Sequence, residues 1–573
     1  MKKFSYLLIT LLYTITANTQ PLIEFENNYG FSSPSNASSG AGSNFIDVGD
    51  FLIAINSSSG DNFMQTDLLA ISKEDGEFVY SLNLSNNFEN YFNLVPSVQL
   101  NSEIYIIINE VAFTGVDNYI SHLYKYNPST GFSLLNSYQD KSTKTISTKN
   151  GDLYLLDNNE LSINIIETQN YGVIETIPLV FETTDFTVSN FTELNNSDFL
   201  LNGNIGSGNN ADIYLAKFDL NGQVFWEQTI GGSAQESIQY VKYFEGDIYM
   251  CGLSKSYDGI FADEYGEGIE WGDEPIKSNW IIKLNNNGDI LWNKLFGNTE
   301  WVTHLGRFNS INFLDNSLIV SGWIDFIWGV HEDFSEFSDM DVFSVKMDFD
   351  GNVIWEKNYG GFNDQSPISV AVINEKLIYV SNLVRYQFFG VPNGGNFWES
   401  LGDVTAETNG KFDNPLVANS EFPNQNDIWI FSTDFDGNII WNEFYGGESY
   451  DFAHKVINNQ EAIYVSSSTQ SMGYDVGELI GYQDFWVFKL GGYTANLPEQ
   501  EKLNIILFPN PTNNILNVKS QELVDIEIYD SIGNLVLNKN STKSIDVSKL
   551  SNGIYFVNIK SGSKTTTEKF IKN

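Results

Sequence analysis

Short apolar runs separated by tight turns recur along most of the chain. The segments DFDGNVIWEKNYGG at 348–361 and DFDGNIIWNEFYGG at 434–447 each hold a turn at Asp-Gly-Asn, two apolar residues and a tryptophan. A run with partly alternating polarity precedes each of them, as in DVFSVKMD from Asp341 and DIWIFSTD from Asp427. An apolar run, an Xaa-Gly turn and a second apolar run predict a β-hairpin. The pattern therefore indicates an all-β protein.

This hairpin belongs to a longer repeat. Related segments occupy 219–232 (DLNGQVFWEQTIGG) and 285–297 (NNNGDILWNKLFG). A further short strand lies upstream of each hairpin, such as DIYMCGLS from Asp247, and a weaker run such as SIQYVKYFEG precedes that strand. Four strands in a unit of about 60 residues are typical of one blade of a β-propeller.

The strand before the turn occurs eight times. Its copies are DLLAIS from Asp67, HLYKYN from His122, LSINIIE from Leu161, and the runs that begin at Asp212, Asn279, Asp341, Asp427 and Asp484. The last copy has no strand after it, whereas LIEFENNYG at 22–30 is a fourth strand without the other three. An N-terminal strand that completes the last blade would remove both sheet edges. We predict an eight-bladed propeller over residues 21–492, with seven or nine blades as alternatives.

The units resemble the SBBP-like β-propeller repeats of secreted bacterial proteins, in which a tryptophan strand and a YGG sequence precede the next blade. The resemblance is good over residues 212–492. The first three units lack the tryptophan, and Tyr80 and Leu135 stand near its place. The resemblance implies a scaffold and leaves the function open.

The first residues have the pattern of an export signal. Lys2 and Lys3 precede an apolar run from Phe4 to Ile15 and small residues around Ala17 and Thr19. We expect residues 1–19 to be a signal peptide. No later stretch approaches the roughly 18 apolar residues of a membrane helix, so we expect no transmembrane segment. The one cysteine, Cys251, lies in an apolar run and is expected to be a small buried side chain.

The C-terminal part differs in charge and pattern. Residues 503–573 contain eight lysines and six acids, a net charge of +2, although the whole chain has a net charge of −43. Five alternating segments with turns at Gly533 and Gly553 predict a small Ig-like β-sandwich after a linker at 493–502.

The motifs of this part closely resemble the type A C-terminal sorting domain of type IX secretion. The matching residues are Phe508, Pro509, Asn510, Pro511, Ile528, Tyr529, Asp530, Gly533, Gly553 and Tyr555, with a basic end at Lys569 to Lys572. The resemblance implies the type IX secretion machinery as a partner and a protein that is secreted or held at the outer-membrane surface. An ordinary accessory Ig-like domain is the alternative.

The charge of the whole chain restricts its partners. With 30 basic and 73 acidic residues, the surface repels phosphate backbones and anionic lipids, so we expect no nucleic-acid partner. The D-x-D-G-N turns also resemble the start of a calcium loop. Such a loop needs a carboxylate twelve residues in, where the chain has Tyr359 and Tyr445, so a plain turn is favoured.

Long insertions predict where a ligand binds. Segments 255–279, 323–340, 383–426 and 468–483 all fall where a blade's connections emerge on one face. Five tryptophans fall in segments that we expect on that face: Trp271, Trp301, Trp323, Trp328 and Trp398. The three longest insertions hold seventeen acids and four bases. Indole rings beside carboxylates suit sugar rings, although the same rings could form small cores within their loops. We treat the seven strand tryptophans, such as Trp226 and Trp292, as packing residues.

Catalytic signals are few. The chain has no G-x-S-x-G, P-loop or H-E-x-x-H motif, and the cluster at His331, Glu332 and Asp333 reads as a solvated loop. We predict no cofactor and assign no metal ligand, although calcium at positions such as Asp258 and Asp475 is permitted. The favoured function is an exported, non-catalytic binding or adhesion protein, with a polysaccharide as a possible ligand. The alternatives are a secreted carbohydrate-active hydrolase or lyase and a structural surface spacer.

Overall fold

The computed structural model consists of β-strands and turns, with no α-helix among the residues it describes. Those residues are 22–29, 38–40, 45–60, 63–85, 90–112, 119–183, 185–195, 197–256, 258–261, 270–271, 274–275, 278–296, 306–327, 338–360, 364–384, 426–447, 449–459, 462–473, 475–480, 483–491, 506–519, 524–530, 535–561 and 564–573. The chain divides into two compact units, Gln20–Tyr493 and a C-terminal unit from Thr494 to Asn573. The segment predicted as a signal peptide lies outside the described residues.

The first unit begins with β1 (Leu22–Tyr29) and continues through eight antiparallel sheets, numbered here 1 to 8 in chain order. Sheet 1 contains β2 (Ser38–Gly40), β3 (Phe45–Asp47), β4 (Phe51–Gly60), β5 (Phe63–Ser72) and β6 (Phe78–Ser85). Sheet 2 contains β7 (Asn90–Leu94), β8 (Val98–Leu100), β9 (Glu103–Ala112), β10 (Tyr119–Asn127) and β11 (Gly131–Gln139). Sheet 3 contains β12 (Thr143–Lys149), β13 (Asp152–Asp157), β14 (Ser162–Ile166) and β15 (Val173–Pro178).

Sheets 4 to 6 carry three copies of the repeated hairpin. Sheet 4 contains β16 (Phe186–Glu193), β17 (Asp198–Ile205), β18 (Asp212–Asp219) and β19 (Val224–Ile230), with a 3-10 turn at Gly208–Asn210. Sheet 5 contains β20 (Glu236–Phe244), β21 (Asp247–Ser254), β24 (Ser278–Leu284) and β25 (Ile290–Phe296); between β21 and β24 lie a 3-10 turn at Gly259–Phe261 and the short pair β22 (Glu270–Trp271) and β23 (Glu274–Pro275). Sheet 6 contains β26 (Arg307–Leu314), β27 (Ser317–Ile327), β28 (Ser338–Asp348) and β29 (Val353–Tyr359).

The last two sheets bring the N-terminal strand back to the end of the unit. Sheet 7 contains β30 (Asp364–Ile373), β31 (Lys376–Val384), β32 (Asn426–Thr433) and β33 (Ile439–Tyr445). Sheet 8 contains β34 (Asp451–Asn458), β35 (Ile463–Thr469), β36 (Asp484–Gly491) and β1. Ile23 lies opposite Leu490 in the β1–β36 pairing. Glu24 forms an ion pair with Lys489 across it, at 2.5 Å between Oε2 and Nζ.

Buried side chains join each sheet to the next. Eight core clusters each combine residues of two consecutive sheets, and one of them joins sheet 8 to sheet 1 through residues such as Phe485, Val487 and Leu52. The packing order therefore returns to its start. A sheet covered on both faces needs apolar side chains at successive positions, because both sides of each strand are buried. This explains why runs such as β21 (DIYMCGLS) are buried almost throughout instead of alternating.

The C-terminal unit contains two sheets around one core. The first pairs β37 (Ile506–Phe508), β38 (Ile515–Lys519) and β41 (Ser544–Asp546); the second pairs β40 (Leu535–Thr542), β39 (Val524–Tyr529), β42 (Gly553–Ser561) and β43 (Lys564–Lys572). Leu516 and Ile545 of the first sheet pack with Ile526, Val557 and Phe570 of the second. Every second residue of β39 and β42 faces this core, as strict alternation predicts.

Candidate functional site

The three longest connections of the first unit lie between the second and third strands of their sheets. They join Ser254 to Ser278, Val384 to Asn426 and Thr469 to Asp484. In a four-stranded antiparallel sheet, this connection and the one into the next sheet leave from the same end. We call this end the loop end. The insertion expected at 323–340 is shorter than predicted, because β27 extends to Ile327 and β28 begins at Ser338.

The structure describes the side chain of one of the five tryptophans predicted as ligand-binding. Trp323 does not lie in a loop: it belongs to β27, is half-buried, and is paired with Arg307 and Val342 of the neighbouring strands. The main chain of Trp271 lies in β22, and its side chain is outside the described residues. Trp301, Trp328 and Trp398 lie outside them as well. Convergence of the five indoles on one face stays a prediction.

The strand tryptophans have packing roles. Trp280, Trp429 and Trp486 are fully buried in the clusters between sheets. Three others connect a fourth strand to the turn of the next sheet through the indole Nε1: Trp226 donates to the carbonyl of Asn286 (3.1 Å), Trp292 to Phe349 (3.0 Å) and Trp355 to Phe435 (3.1 Å). In sheet 1, Tyr80 takes this place, and its ring lies against Gly131 in the turn of sheet 2.

The repeated Asp-Gly turns are closed by their own aspartate. Asp348 Oδ1 accepts hydrogen bonds from the main-chain N–H groups of Asp350 (3.0 Å) and Asn352 (2.8 Å), and Oδ2 accepts one from the Asn352 side chain. These bonds lower the pKa of Asp348. The same set recurs at Asp434. The aspartates therefore serve the turn, as the sequence predicted.

Two pairs of carboxyl groups lie at equivalent places at the loop end. A methyl group on Gly231 would lie 2.2 Å from Asp212 Oδ1 and 2.7 Å from Glu236 Oε2, so both carboxyl groups approach the glycine closely. Glu236 accepts hydrogen bonds from Ser254 Oγ (2.7 Å) and from the N–H of Gly232 (3.2 Å). Burial raises the pKa of both Asp212 and Glu236. The Gly-Gly of the repeat therefore passes beside a pair of carboxyl groups.

The second pair lies between sheets 7 and 8. A methyl group on Gly446 would lie 2.6 Å from both Asp427 Oδ1 and Asp451 Oδ2. Asp451 Oδ2 accepts hydrogen bonds from Ser471 Oγ (2.6 Å) and the N–H of Gly447 (2.9 Å). Burial raises the pKa of Asp451 to about 6 against the effect of these bonds. Both pairs hold the chain where it passes from one sheet to the next.

The first strands of sheets 3 to 8 share a feature that the sequence did not indicate. Each has a β-bulge against its second strand at an equivalent position near the loop end. The extra residues are Lys144, Ser189, Gln239, Asn309, Ile368 and His454. Bulges redirect side chains and occur often beside functional sites.

The bulged strands lie next to one another. First strands of consecutive sheets contact one another, and side chains bond them together: Thr145 Oγ1 donates to the carbonyl of Phe191 (3.1 Å), and Asn309 Nδ2 donates to that of Pro367 (2.6 Å). We call the six bulges and the residues that follow them the inner ring. It carries mainly hydroxyl, amide and cationic groups.

Burial shifts the pKa of three side chains in the inner ring. Tyr240 follows the bulge of β20, is 36% exposed, and has its pKa raised by burial. His454 and Lys455 stand at the bulge of β34, and burial lowers the pKa of both. These side chains are thus crowded by protein but still reach solvent. The inner ring is the strongest candidate site in the described part of the chain.

The remaining residues considered for chemistry are accounted for locally. Cys251 is buried, which raises the pKa of its thiol. His122 pairs with Glu110 at 2.7 Å, while His304 and His331 lie outside the described residues. Asp258 Oδ1 accepts a hydrogen bond from the N–H of Ser233 (2.7 Å). Where side chains are described, no cluster of three or more His, Cys, Asp or Glu could hold a metal ion.

Residues of the predicted sorting motif fix the last strand of the C-terminal unit. The Asn510 side chain donates to the carbonyl of Lys569 (3.0 Å) and accepts from the N–H of Ile571 (2.9 Å). Phe508 is 47% exposed, whereas Tyr555 is buried and donates to the carbonyl of Ser551 (2.9 Å). Tyr529 donates to Glu527 (3.0 Å). Pro509, Pro511 and Gly553 are exposed, and Gly533 lies outside the described residues.

Comparison with solved structures finds proteins of low similarity that cover much of this chain. The solved structures it resembles include the phage phi92 endosialidase (9% identity, TM-score 0.32, covering 95% of this chain and 87% of that one). They also include the polysaccharide lyase Uly1 (10% identity, TM-score 0.39, covering 83% and 95%) and a Synechocystis apocarotenoid oxygenase (9% identity, TM-score 0.33, covering 67% and 88%). No curated protein matches the chain.

The C-terminal unit is identified more closely. Residues 506–573 match the secretion system C-terminal sorting domain family. The protein is therefore secreted or displayed at the cell surface. The described residues contain no helix that is long and apolar enough to span a bilayer.

Proposed function

We propose that this protein is an exported, non-catalytic saccharide-binding β-propeller. Its eight sheets would be eight blades closed by β1, and the C-terminal unit would be an Ig-like sorting domain that engages the type IX secretion machinery. The cyclic packing of the eight sheets and the β1–β36 pairing support this architecture.

The observation that carries the binding function is the inner ring at the loop end. Six equivalent bulges bring amide, hydroxyl and cationic side chains to one level of the first strands, and Tyr240 adds an aromatic ring that is 36% exposed. Sugar rings stack on aromatic faces, and their hydroxyls need donors and acceptors of this kind. Trp323 and the described part of the long connections lie at the same end.

The carboxyl pairs argue for binding over hydrolysis or lysis. Glu236 and Asp451 are fully buried. Each accepts hydrogen bonds from a main-chain N–H group and from a serine hydroxyl, that of Ser254 or Ser471. A catalytic acid has to reach the glycosidic oxygen. These groups instead hold the passage between sheets.

Retention and product analysis on a glycan panel separate the three possibilities. The purified protein is incubated with immobilised and soluble glycans, and both bound protein and released products are measured. Retention without new products supports the proposal. New products support a carbohydrate-active enzyme. The absence of both retention and new products supports a structural spacer.

A pair of variants places the site. Tyr240→Ala should lose retention by about tenfold or more, because a stacked aromatic contributes roughly 1–3 kcal/mol in comparable sites. Phe225→Ala, which removes an exposed ring from the outer strand β19, is the matched control and should leave retention unchanged. Trp323→Ala reports on the loop end separately. Unchanged retention in both Tyr240→Ala and Trp323→Ala, with the fold intact, would remove this end of the unit from consideration.

A further inference from the structure

Three lysines outside the inner ring of this acidic protein form ion pairs. Lys125 lies 2.8 Å from Glu103, Lys217 lies 3.0 Å from Asp198, and Lys283 lies 2.9 Å from Asp247. Each pair joins a third strand to an acid on the same sheet. With a net charge of −43, the chain has many acids available for such pairing.

Lys455 of the inner ring differs from these lysines. Its side chain makes no ion pair or hydrogen bond with any residue that the structure describes, and burial lowers its pKa. Lys242, on another first strand, is also desolvated, but its Nζ donates to the carbonyl of Ile311 (3.1 Å). A crowded ammonium group without an acceptor costs folding free energy unless a ligand supplies one.

Among the described residues, the elements packed against Lys455 offer it no counter-charge. The neighbouring strand β35 (IYVSSST) contains no ionisable acid or base apart from a tyrosine. His454, beside it, has Nε2 3.0 Å from Ser468 Oγ, which leaves Nδ1 for another partner. Asp451, three residues before His454, is buried and bonded to Ser471 and Gly447. Asp47, in β3 of the adjacent sheet 1, is paired with Lys73 at 2.6 Å.

We propose that His454 and Lys455 form an oxyanion site that takes the carboxylate of an acidic saccharide. The Lys455 ammonium donates to the carboxylate oxygens, and His454 adds an N–H donor. Tyr240 and the amide groups elsewhere on the inner ring contact the neutral part of the sugar. The inference rests on the proposed saccharide-binding function and narrows the ligand to a uronate-containing chain.

Histidine NMR tests the site directly in the mature full chain. The His454 ring signals are assigned by their loss in His454→Gln, and a galacturonate trisaccharide is compared with a neutral galactose trisaccharide at about 0.15 M salt. The acidic probe should shift the His454 signals in a saturable way, and the neutral probe should not. Equal responses, or none, would overturn the site.

Variants at Lys455 decide whether its charge matters. Lys455→Gln should weaken binding of the galacturonate trisaccharide about tenfold or more, since hydrogen bonds to charged groups have this magnitude, and Lys455→Arg should keep most of it. Lys125→Gln changes the net charge equally but far from the inner ring, and should have no effect. Lys455→Gln should also raise the melting temperature, because it removes an unpaired cation. A lowered melting temperature, or unchanged affinity, would mean that Lys455 is structural.

The two proposals fail in different ways. Retention of glycans on the panel without any response of His454 to galacturonate would contradict the oxyanion site alone. Absence of all retention would contradict the saccharide-binding function itself.

Discussion

The indole Nε1 of Trp292 donates a 3.0 Å hydrogen bond to the carbonyl oxygen of Phe349, in the turn of the next sheet. The same carbonyl accepts from Lys283 Nζ at 3.1 Å, and the indole ring covers Gly351 of that turn. Equivalent contacts link sheet 4 to sheet 5 and sheet 6 to sheet 7. The repeated Trp and Asp-Gly motifs are thus two halves of one joint between consecutive sheets.

Replacing Trp292 should weaken this joint. Trp292→Phe removes the donor and part of the ring and should lower the free energy of unfolding by about 1–3 kcal/mol. Leu291→Ala, at a neighbouring residue that is 50% exposed, is the control and should change it by less than about 0.5 kcal/mol. Urea unfolding followed by circular dichroism measures both. Equal effects would mean that the joint adds nothing to stability.

Gly351 is required both for its positive φ and for its close approach to a ring, whereas Gly246, in another turn, is required for its positive φ alone. Gly351 has a φ of +87°, and a methyl group there would lie 2.9 Å from the Trp292 ring. Gly246 has a φ of +96° with open space around it. Gly246→Ala should therefore cost only the backbone strain, about 1–2 kcal/mol, and Gly351→Ala distinctly more. Melting temperatures of the two variants report the difference, and a Gly246→Ala variant as unstable as Gly351→Ala would contradict the contact.

Asp451 should make stability fall as the pH rises. Its pKa is raised from 3.8 to about 6 in the folded protein, so folding favours the protonated form. The resulting stabilisation is complete below pH 3.8, is lost between pH 3.8 and 6, and amounts to about 3 kcal/mol. Asp451→Asn should remove this dependence, so that the variant gains stability relative to the parent across that window. Melting temperatures between pH 4 and 8 provide the measurement.

Asp348 is a control for which the pH dependence of stability should have the opposite sign. Its pKa is lowered by the hydrogen bonds of the turn, so its contribution is present above pH 3.8 and lost below that pH. Asp348→Asn should lose stability relative to the parent as the pH rises through that region. The same trend in both variants would rule out the assignment of these two carboxyl groups.

A disulfide can test closure by β1. Ile23 and Leu490 lie directly opposite each other, so Ile23→Cys with Leu490→Cys should form a disulfide on oxidation and stabilise the first unit by about 2–4 kcal/mol. The native Cys251 is fully buried and should not interfere. Ile23→Cys with Val487→Cys is out of register and should not cross-link. Non-reducing electrophoresis distinguishes the pairs, and cross-linking of the second pair instead would mean a different register.

Asn510 should be required for the last strand of the sorting domain. Asn510→Ala removes both bonds to β43 and should lower the free energy of unfolding of the C-terminal unit by about 1–3 kcal/mol. In a host with a type IX system, the exported fraction should fall as well. Asn514→Ala, at an exposed asparagine of the same unit, is the control and should leave both quantities unchanged. Normal export of Asn510→Ala would separate that motif from sorting.

Local chemistry explains what could be predicted from the sequence. The turn role of Asp348, the burial of Cys251 and the packing role of Trp226 depend on residues close in the chain or on hydrophobicity, and each prediction is confirmed. The sorting motif was recognisable because its residues act within one small unit. Tyr80 stands in the sequence near the position that tryptophan has in later repeats, and the structure confirms it there. An aromatic ring of either kind can cover the glycine of the next sheet.

Features that depend on the packing of several sheets were missed. Trp323 was assigned to a loop because nothing in the sequence shows how far the β27–β28 hairpin extends. The bulges of the inner ring leave no periodic signal, since the first strands are short and only weakly alternating. Asp212 of sheet 4 and Glu236 of sheet 5 both approach Gly231, which connects the two sheets. The sequence alone does not show that the two acids lie together.

The joint between consecutive sheets bears on how such a chain grows. The repeats of sheets 4 to 6 each carry a tryptophan that contacts the next sheet and a glycine turn that contacts the preceding one. A duplicated gene segment of this kind therefore arrives with both halves of the joint. The interior of the array can therefore lengthen by copying a whole repeat. The two ends of the unit pair with each other through β1 and β36. A copy of either end alone would lack its partner strand, so internal duplication is the evolutionary route to a unit with more sheets.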